Sequence, residues 1–380
     1  MSDPAFTVQF PVRLLFGWGR LAELGAETAR LGRRALVVTT GRLFEQTGLT
    51  SRVTRLLAEA SVEASSFSDA GPNPTAEQID AGAAEASARG VDVVVGLGGG
   101  SAIDAAKGIA VAAGHGRPIW SFADPAARAG LGEKMLPVVA VPTTAGTGSE
   151  MTQYIVVTHG GRKPGIASAR TYPAVALVDP ELTVGLPPAV TAASGIDAMT
   201  HAIEAYANRN ANPVTDLYCR EALRLVGAHL RAAVRDGSSR PARTGMALAA
   251  ALAGAAIAAC RTTACHALAH AAGGLAGLTH GEALAALTPA AMRRLMRESP
   301  GRYAHVGPLL RGDPAADSLD AIEALIRDVG LGRGLAAQGV ARANLPVIAD
   351  AALDYMKGAI EATPAEVTRR ALLEILEAAF

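Results

Sequence analysis

Five side chains in the second half of the sequence have metal-ligand chemistry at spacings that can bring them together. Asp197 and His201 are four residues apart in Gly195-Ile196-Asp197-Ala198-Met199-Thr200-His201, which puts both on one face of a helix. His266 and His270 repeat that spacing in Cys265-His266-Ala267-Leu268-Ala269-His270, and His280 follows in Leu278-Thr279-His280-Gly281. All lie among alanines and other apolar residues, where a carboxylate or imidazole without a partner is costly. A shared divalent cation removes that cost, and one carboxylate with neutral imidazoles suits Fe2+, Zn2+, Mn2+ or Co2+. His115, His159, His229 and His305 have no such company and read as ordinary hydrogen-bonded histidines.

The first half carries a different chemistry. Val93-Val94-Val95-Gly96-Leu97-Gly98-Gly99-Gly100-Ser101 is a buried strand feeding a glycine turn, and a helix pattern follows with Asp104 and Lys107 in its first turns. Residues without a Cβ let backbone N–H groups approach a ligand, and the helix N-terminus adds partial positive charge. Together they suit a pyrophosphate. The run is not G-x-G-x-x-G, because Ser101 stands where the third glycine belongs, so by itself it is equally a tight strand-to-helix join. A second loop tips the balance: Val141-Pro142-Thr143-Thr144-Ala145-Gly146-Thr147-Gly148-Ser149-Glu150 follows another apolar strand and is dense in hydroxyls and glycine. Two such loops at the ends of parallel strands fit a dinucleotide crevice.

These groups need elements to hold them. Arg13–Phe16, Ala35–Thr39, Glu63–Ser68, Val91–Leu97, Val138–Val141, Tyr154–Val157 and Ala174–Val178 read as strands, with helices over Leu21–Leu31, Thr50–Ala60, Ala76–Ala88 and Ile103–Ala113 between them. That alternation predicts a parallel sheet covered on both faces. Beyond Leu186-Pro187-Pro188 the strand runs stop, and Ala/Leu-rich helical segments take over at Ala189–Asn208, Pro213–Arg235, Pro241–Ala259, Ala264–Ala276, Ser318–Val329 and Pro364–Ala379. Asp313–Asp317 reads as a loop. The expected division is an α/β dinucleotide-binding domain over residues 1–185 and an all-helical metal-binding, catalytic domain over 186–380.

Composition narrows the function. The 380 residues carry 35 Lys+Arg against 35 Asp+Glu, a balance that argues against a general nucleic-acid binder. Three cysteines, Cys219, Cys260 and Cys265, are too few for a disulfide framework and point to a reducing compartment. Met1–Phe10 holds Asp3 and no long apolar run, so no signal peptide is read there. The longest uncharged apolar stretch, Met246–Cys260, has 15 residues, short of the roughly 20 a bilayer span needs, and reads as a buried helix. No membrane or nucleic-acid partner is expected.

Taken in order, these segments resemble the iron-containing, or group III, alcohol dehydrogenase family. The similarity runs over nearly the whole chain: Gly71-Pro72-Asn73-Pro74-Thr75, Gly98–Ser101 with Asp104 and Lys107, Pro142–Glu150, Asp179-Pro180-Glu181-Leu182-Thr183, Gly195–His201 with Glu204-Ala205-Tyr206, Asn212-Pro213 with Thr215-Asp216, and His266 with His270 and His280. The resemblance implies a dehydroquinate synthase-like fold with the active site between the two domains. It places four metal ligands on Asp197, His201, His266 and His280, and a further cleft histidine on His270. It places cofactor contacts on Asn73, Gly98, Gly99, Gly100, Ser101, Thr143, Thr144, Thr147 and Lys163. It also implies Fe2+ (Zn2+ or another divalent ion being compatible), a cytoplasmic enzyme and a homodimer. The chain departs from the pattern in two places. The glycine-rich stretch common before the third ligand reads Cys260-Arg261-Thr262-Thr263-Ala264-Cys265, and the Pro common after His270 is Ala271. After the second strand, Thr39-Thr40-Gly41-Arg42 has no carboxylate for a ribose diol, so NADP is as open as NAD.

The expected function is hydride transfer between a small alcohol or aldehyde and NAD(P), with a Lewis-acid metal at the substrate oxygen and His270, at an ordinary imidazole pKa, relaying a proton or positioning substrate. A maleylacetate reductase-like reduction of an anionic oxoacid is an alternative that Arg261 favours and that the intact ligand set, including Asp197, weighs against. A dehydroquinate synthase-like lyase would need several Lys and Arg around a phosphorylated substrate, and Ser194–Leu284 has no Lys.

Overall fold

The computed structural model describes residues 5–380; Met1–Pro4, with the Asp3 of the N-terminal reading, lie outside the described residues. Among the described residues there are eight strands: β1 (Arg13–Phe16), β2 (Arg34–Thr40), β3 (Glu63–Ala70), β4 (Val93–Gly98), β5 (Val138–Pro142), β6 (Tyr154–Val156), β7 (Gly165–Ala167) and β8 (Val175–Val178). Six of them form one parallel sheet in the order β1-β8-β5-β4-β2-β3. Five helices belong to this half: α1 (Leu24–Ala29), α2 (Leu43–Gln46), α3 (Leu49–Glu59), α4 (Ala76–Ala88) and α5 (Gly100–His115). The side chains of the central strands alternate between two cores, as the pleat requires. Leu36, Val38 and Val94 pack with Ile79 of α4 and Ile109 of α5. Ala35, Val37, Val93 and Val95 pack with Leu24 of α1 and Val53 and Leu57 of α3. A sheet buried on both faces explains why β4 is apolar or glycine at every position.

The remaining helices build the second half: α6 (Pro188–Tyr206), α7 (Pro213–Arg235), α8 (Arg240–Cys260), α9 (Ala264–Ala276), α10 (His280–Leu295), α11 (Pro300–Tyr303), α12 (Val306–Arg311), α13 (Ser318–Asp328), α14 (Leu345–Tyr355), α15 (Lys357–Ala362) and α16 (Arg369–Ala379). They enclose a single large apolar core. Helix α8, which contains the apolar stretch noted in the sequence, lies mostly inside the molecule.

Several elements differ from the sequence reading. Tyr154–Val157 was expected among the alternating strands, but β6 pairs antiparallel with β7 in a separate hairpin. In the main sheet β5 and β8 pair with each other, Val139 opposite Val175, so no edge is left between them, and the Val156 N–H is taken by Asp104 Oδ2 at 3.2 Å. The Leu21–Leu31 segment opens as a 3-10 turn, Arg20–Glu23, and is α-helical only to Ala29. The last helix begins at Arg369, not Pro364, where the Thr368 hydroxyl caps it by accepting from Ala371 N. Helix α10 runs through Pro289, a residue that reads as a break in sequence.

One contact fixes how the halves meet. Gly254 of α8 lies against Gly148 of the Thr143–Gly148 loop, and a Cβ on Gly254 would stand 2.5 Å from the Gly148 carbonyl oxygen. Within the α/β half that loop is held in turn by a buried polar strut. Lys107, fully enclosed in α5, donates to the Ser149 carbonyl at 3.1 Å, to Ser149 Oγ at 2.8 Å, and to the carbonyls of Thr152 and Tyr154. Asp104 lies 3.3 Å from the same ammonium and accepts from Ser149 Oγ. The motif lysine therefore anchors the second loop to α5 and does not reach toward a ligand. Glu150 is buried beside it, and that burial, opposed by a backbone hydrogen bond and by Lys107, pushes its carboxyl up to about 7.

Two expectations follow. Gly254→Val should lower stability by about 1–3 kcal/mol, since a side chain there meets backbone that cannot yield; denaturant unfolding measures it, and an unchanged midpoint contradicts the contact. For Glu150 the folded-state pKa lies above the unfolded one, so its contribution is full at acid pH and is lost as pH rises through about 7. Glu150→Gln removes that loss. Its stability relative to wild type should rise by about 2–3 kcal/mol between roughly pH 5 and pH 8, and a flat difference across that range shows that Glu150 is ionised throughout.

Candidate active site

Helix α6 places Asp197 and His201 one turn apart on its buried face, as their spacing predicts. Helix α9 brings His266, and the start of α10 brings His280. The approach of α10 to α6 needs a residue without a side chain, because a Cβ on Gly281 would lie 2.3 Å from the Ala193 carbonyl oxygen. The four side chains converge. Asp197 Oδ1 is 3.4 Å from His201 Nδ1, 3.4 Å from His266 Nε2 and 3.7 Å from His280 Nε2. One ligand atom each from Asp197, His201 and His266 falls within 4.8 Å of the others. The rings of His201 and His266 stack with centroids 4.3 Å apart. His270, one turn beyond His266, meets His280 edge-on at 5.1 Å.

The residues fit a divalent metal. Nδ1 of both His201 and His280 is buried without a hydrogen-bond partner, although buried polar nitrogens are normally satisfied. Burial by itself would raise the Asp197 carboxyl, yet His201, His266 and His280 hold it far below the usual carboxylate range. Burial lowers His201 to about 4 and His280 to about 3, so both rings are neutral, the form that ligates. Burial also disfavours protonation of His266, but Glu204 and Asp197 outweigh it and push that imidazole up to about 9.

Glu204 is the residue whose role the sequence reading missed. It sits on α6, one turn past His201, and its carboxylate accepts from His266 Nδ1, from Thr263 N and Oγ1 at 3.1 and 2.6 Å, and from the Cys265 and His266 amides at 3.0 and 3.2 Å. An anion thus caps the start of α9 and fixes the His266 ring with Nε2 toward Asp197. The positions 197, 201 and 204 share one helical face, which is the signal that would have found it.

Across a cleft of about 870 Å³ stand residues of the α/β half, with Asn73, Gly100, Ser101, Thr147 and Lys163 on one wall and Asp197, His201, His266, His270 and His280 on the other. Gly98 has φ of +147°, a conformation that favours glycine, and Gly99 caps α5. The two loops expected to flank a dinucleotide interlock: Thr143 N donates to the Gly98 carbonyl at 2.9 Å, and Cβ atoms on Gly99 and Gly100 would stand 3.3 Å from Thr144 Oγ1 and 2.6 Å from Thr147 Cγ2. Thr143 and Thr144 therefore back the turn, while Ser101 and Thr147 face the cleft. The hairpin between β6 and β7 delivers Lys163, whose ammonium donates to Asn73 Oδ1 at 2.7 Å, and Asn73 N donates to Ser101 Oγ at 3.2 Å. His270 corrects one expectation. Burial, with His280 and Lys163 alongside, lowers it well below the ordinary imidazole value, so its ring is neutral; its Nδ1 lies 3.4 Å from the Lys163 carbonyl.

Comparison with known proteins agrees with this architecture along the whole chain. Residues 11–180 match the family model described as iron-containing alcohol dehydrogenase, and residues 191–380 match the C-terminal model of the Fe-containing alcohol dehydrogenase family. The chain is 35% identical to long-chain-alcohol dehydrogenase 1 of Geobacillus thermodenitrificans over 98% of its own length and 96% of the relative's. It is 37% identical to 1,3-propanediol dehydrogenase of Klebsiella pneumoniae, covering 93% and 94% of the two chains. The crystal structure of an archaeal halo-thermophilic alcohol dehydrogenase from a Red Sea brine pool superposes with a TM-score of 0.95 at 32% identity, covering 100% of both chains. This chain belongs to the iron-containing alcohol dehydrogenase family and is an NAD(P)-dependent alcohol dehydrogenase.

Proposed function

We propose that Asp197, His201, His266 and His280 hold the family's iron, or another divalent ion, and that the opposite wall holds the nicotinamide cofactor. Asn73, Gly100, Ser101, Thr147 and Lys163 line that wall, and Gly98, Gly99, Thr143 and Thr144 shape the turn behind it. The observation that carries the reading is the convergence of four ligand-type side chains from three helices across one cleft from a glycine-rich helix start. A metal at this point supplies a Lewis acid for an alcohol or carbonyl oxygen. The side chains do the rest. Glu204 keeps His266 oriented, and neutral His270 positions the substrate hydroxyl or passes its proton onward. The chain divides near residue 186, with the α/β half carrying the cofactor and the helical half the metal.

The substrate is a small alcohol or aldehyde. The lyase and oxoacid-reductase alternatives draw no support from the matched proteins. NADP is accepted alongside NAD. Thr39-Thr40-Gly41-Arg42 at the end of β2 holds no carboxylate, and Arg42, exposed and without an ion pair among the described residues, sits in the loop that adjoins the phosphate turn, Phe44 lying beside Gly98. A cytoplasmic location accords with three free, buried cysteines. A homodimer accords with edge strand β1, where Leu14 and, just ahead of it, Phe6 are 39% and 46% exposed.

Loaded anaerobically with Fe2+ and screened against alcohols and aldehydes, the enzyme should change reduced-nicotinamide absorbance with both cofactors. His266→Ala should lose metal and activity together, and Glu204→Gln should weaken metal retention by about 10–100-fold in chelator competition; an active, metal-free His266→Ala enzyme sinks the ligand assignment. Arg42→Ala should raise KM for NADPH by about tenfold, equivalent to ~1.4 kcal/mol, while KM for NADH changes little. Equal effects on both cofactors contradict a 2′-phosphate contact.

A further inference from the structure

Arg261 joins α8 to α9 in a backbone conformation that arginine rarely takes. Its φ is 73° and its ψ 172°, a region occupied essentially by glycine alone. The surroundings hold it there. Its own N–H donates to the Ile257 carbonyl at 2.7 Å, Asn208 Nδ2 donates to its carbonyl at 3.0 Å, and Asn210 Nδ2 donates to the Cys260 carbonyl at 3.3 Å. The side chain then extends into the cleft over Gly358, where a Cβ would lie 2.0 Å from a guanidinium nitrogen. An arginine sits where glycine suits the backbone, and a glycine sits where the arginine needs room.

The guanidinium makes no hydrogen bond or ion pair among the described residues. Two other cations of the cleft wall are already engaged: Arg162 pairs with Asp354 at 2.7 Å, and Lys163 is bonded to Asn73. Arg128 approaches from the α/β half. Its Nε and Nη2 are fixed on the carbonyls of Phe122, Ala123 and Gly165 at 3.0, 3.0 and 3.3 Å, leaving Nη1 without a partner among the described residues. Burial, and then repulsion from Arg261, lower Arg128 below its usual value, against the pull of Asp124. Arg128 and Arg261 therefore line the same cleft as the histidine cluster, with open donors and no ion-paired carboxylate of their own among the described residues.

We propose that Arg261, with Arg128 lining the same cleft, forms a subsite for a carboxylate at the far end of the substrate, so that the enzyme prefers ω-carboxylated aldehydes and alcohols to neutral ones of the same length. The planar fork of an arginine matches a carboxylate in a bidentate contact, and the Arg261 guanidinium, without a partner among the described residues, has its donors free for one. This deepens the dehydrogenase reading and rests on it for the chemistry alone. The aldehyde gains a hydride from NAD(P)H and a proton from solvent, giving the ω-hydroxy carboxylate and NAD(P)+, while the distal carboxylate is unchanged.

Two matched pairs test it: 4-oxobutanoate against butanal in turnover, and 4-hydroxybutyrate against 1-butanol in calorimetric titration of the metal-loaded protein without cofactor. The wild type should favour the carboxylate member of each pair by about tenfold or more. Arg261→Gly, which suits the local backbone, should bring both ratios toward unity, Arg261→Lys should keep part of the preference, and added salt should erode it. No preference in the wild type, or a preference that survives Arg261→Gly, overturns the subsite. Absence of turnover with every aldehyde, alongside the expected binding ratios, removes the dehydrogenase reading and leaves the subsite standing.

Discussion

A buried carboxylate organises this protein. Asp197 is 3% exposed and has three imidazoles within 3.7 Å of one oxygen. Removing an ionised carboxylate from water costs several kcal/mol unless opposite charge and hydrogen bonds compensate. Glu204 adds a second buried carboxylate one ring away, and its burden is met by the amides at the start of α9 and by His266. The only proton that this arrangement favours strongly is on His266. The cluster is thus short of positive charge at the point where the ligand atoms meet, the setting that suits a divalent cation. Fold and chemistry are coupled here, because the helices that form the core of the second half are also those that bring the acids and imidazoles together.

The other constraint is closeness of approach. His280 reaches Asp197 because Gly281 lets α10 touch the backbone of α6, and the two cofactor-side loops interlock because Gly99 and Gly100 accept the threonines opposite. Gly254 and Gly148 then set the α/β half against the helical half. Where backbone must meet backbone, one added methyl group separates the surfaces, so the cleft is built on absent side chains as much as on present ones. Lys107 works from the opposite direction, spending a buried ammonium on carbonyls of the second loop. Arg261 is the exception: it keeps a glycine-like backbone yet projects a long cation into the space.

Much of the architecture was readable from residue types in order. Runs such as Val93–Leu97 between helical patterns gave the parallel sheet, because a strand buried on both faces must be apolar throughout. Asp197 and His201 could be put on one face because helical spacing is a local property. The β6–β7 hairpin was misassigned because strand partners are chosen by which sheet edges are free, and α10 went unseen because Pro289 carries a local breaker signal that packing overrides.

The ordered motifs, through their resemblance to a known family, were therefore enough to name the family and the fold class, and local spacing was enough to put Asp197 and His201 on one helical face. They could not say that Lys107 is a strut, that Glu204 orients His266, that His270 is held neutral, or that Arg261 and Arg128 line one cleft. Each of those depends on groups distant in sequence meeting in a low-dielectric interior, where burial and long-range neighbours fix direction, charge and partner. No periodicity along the chain encodes such meetings.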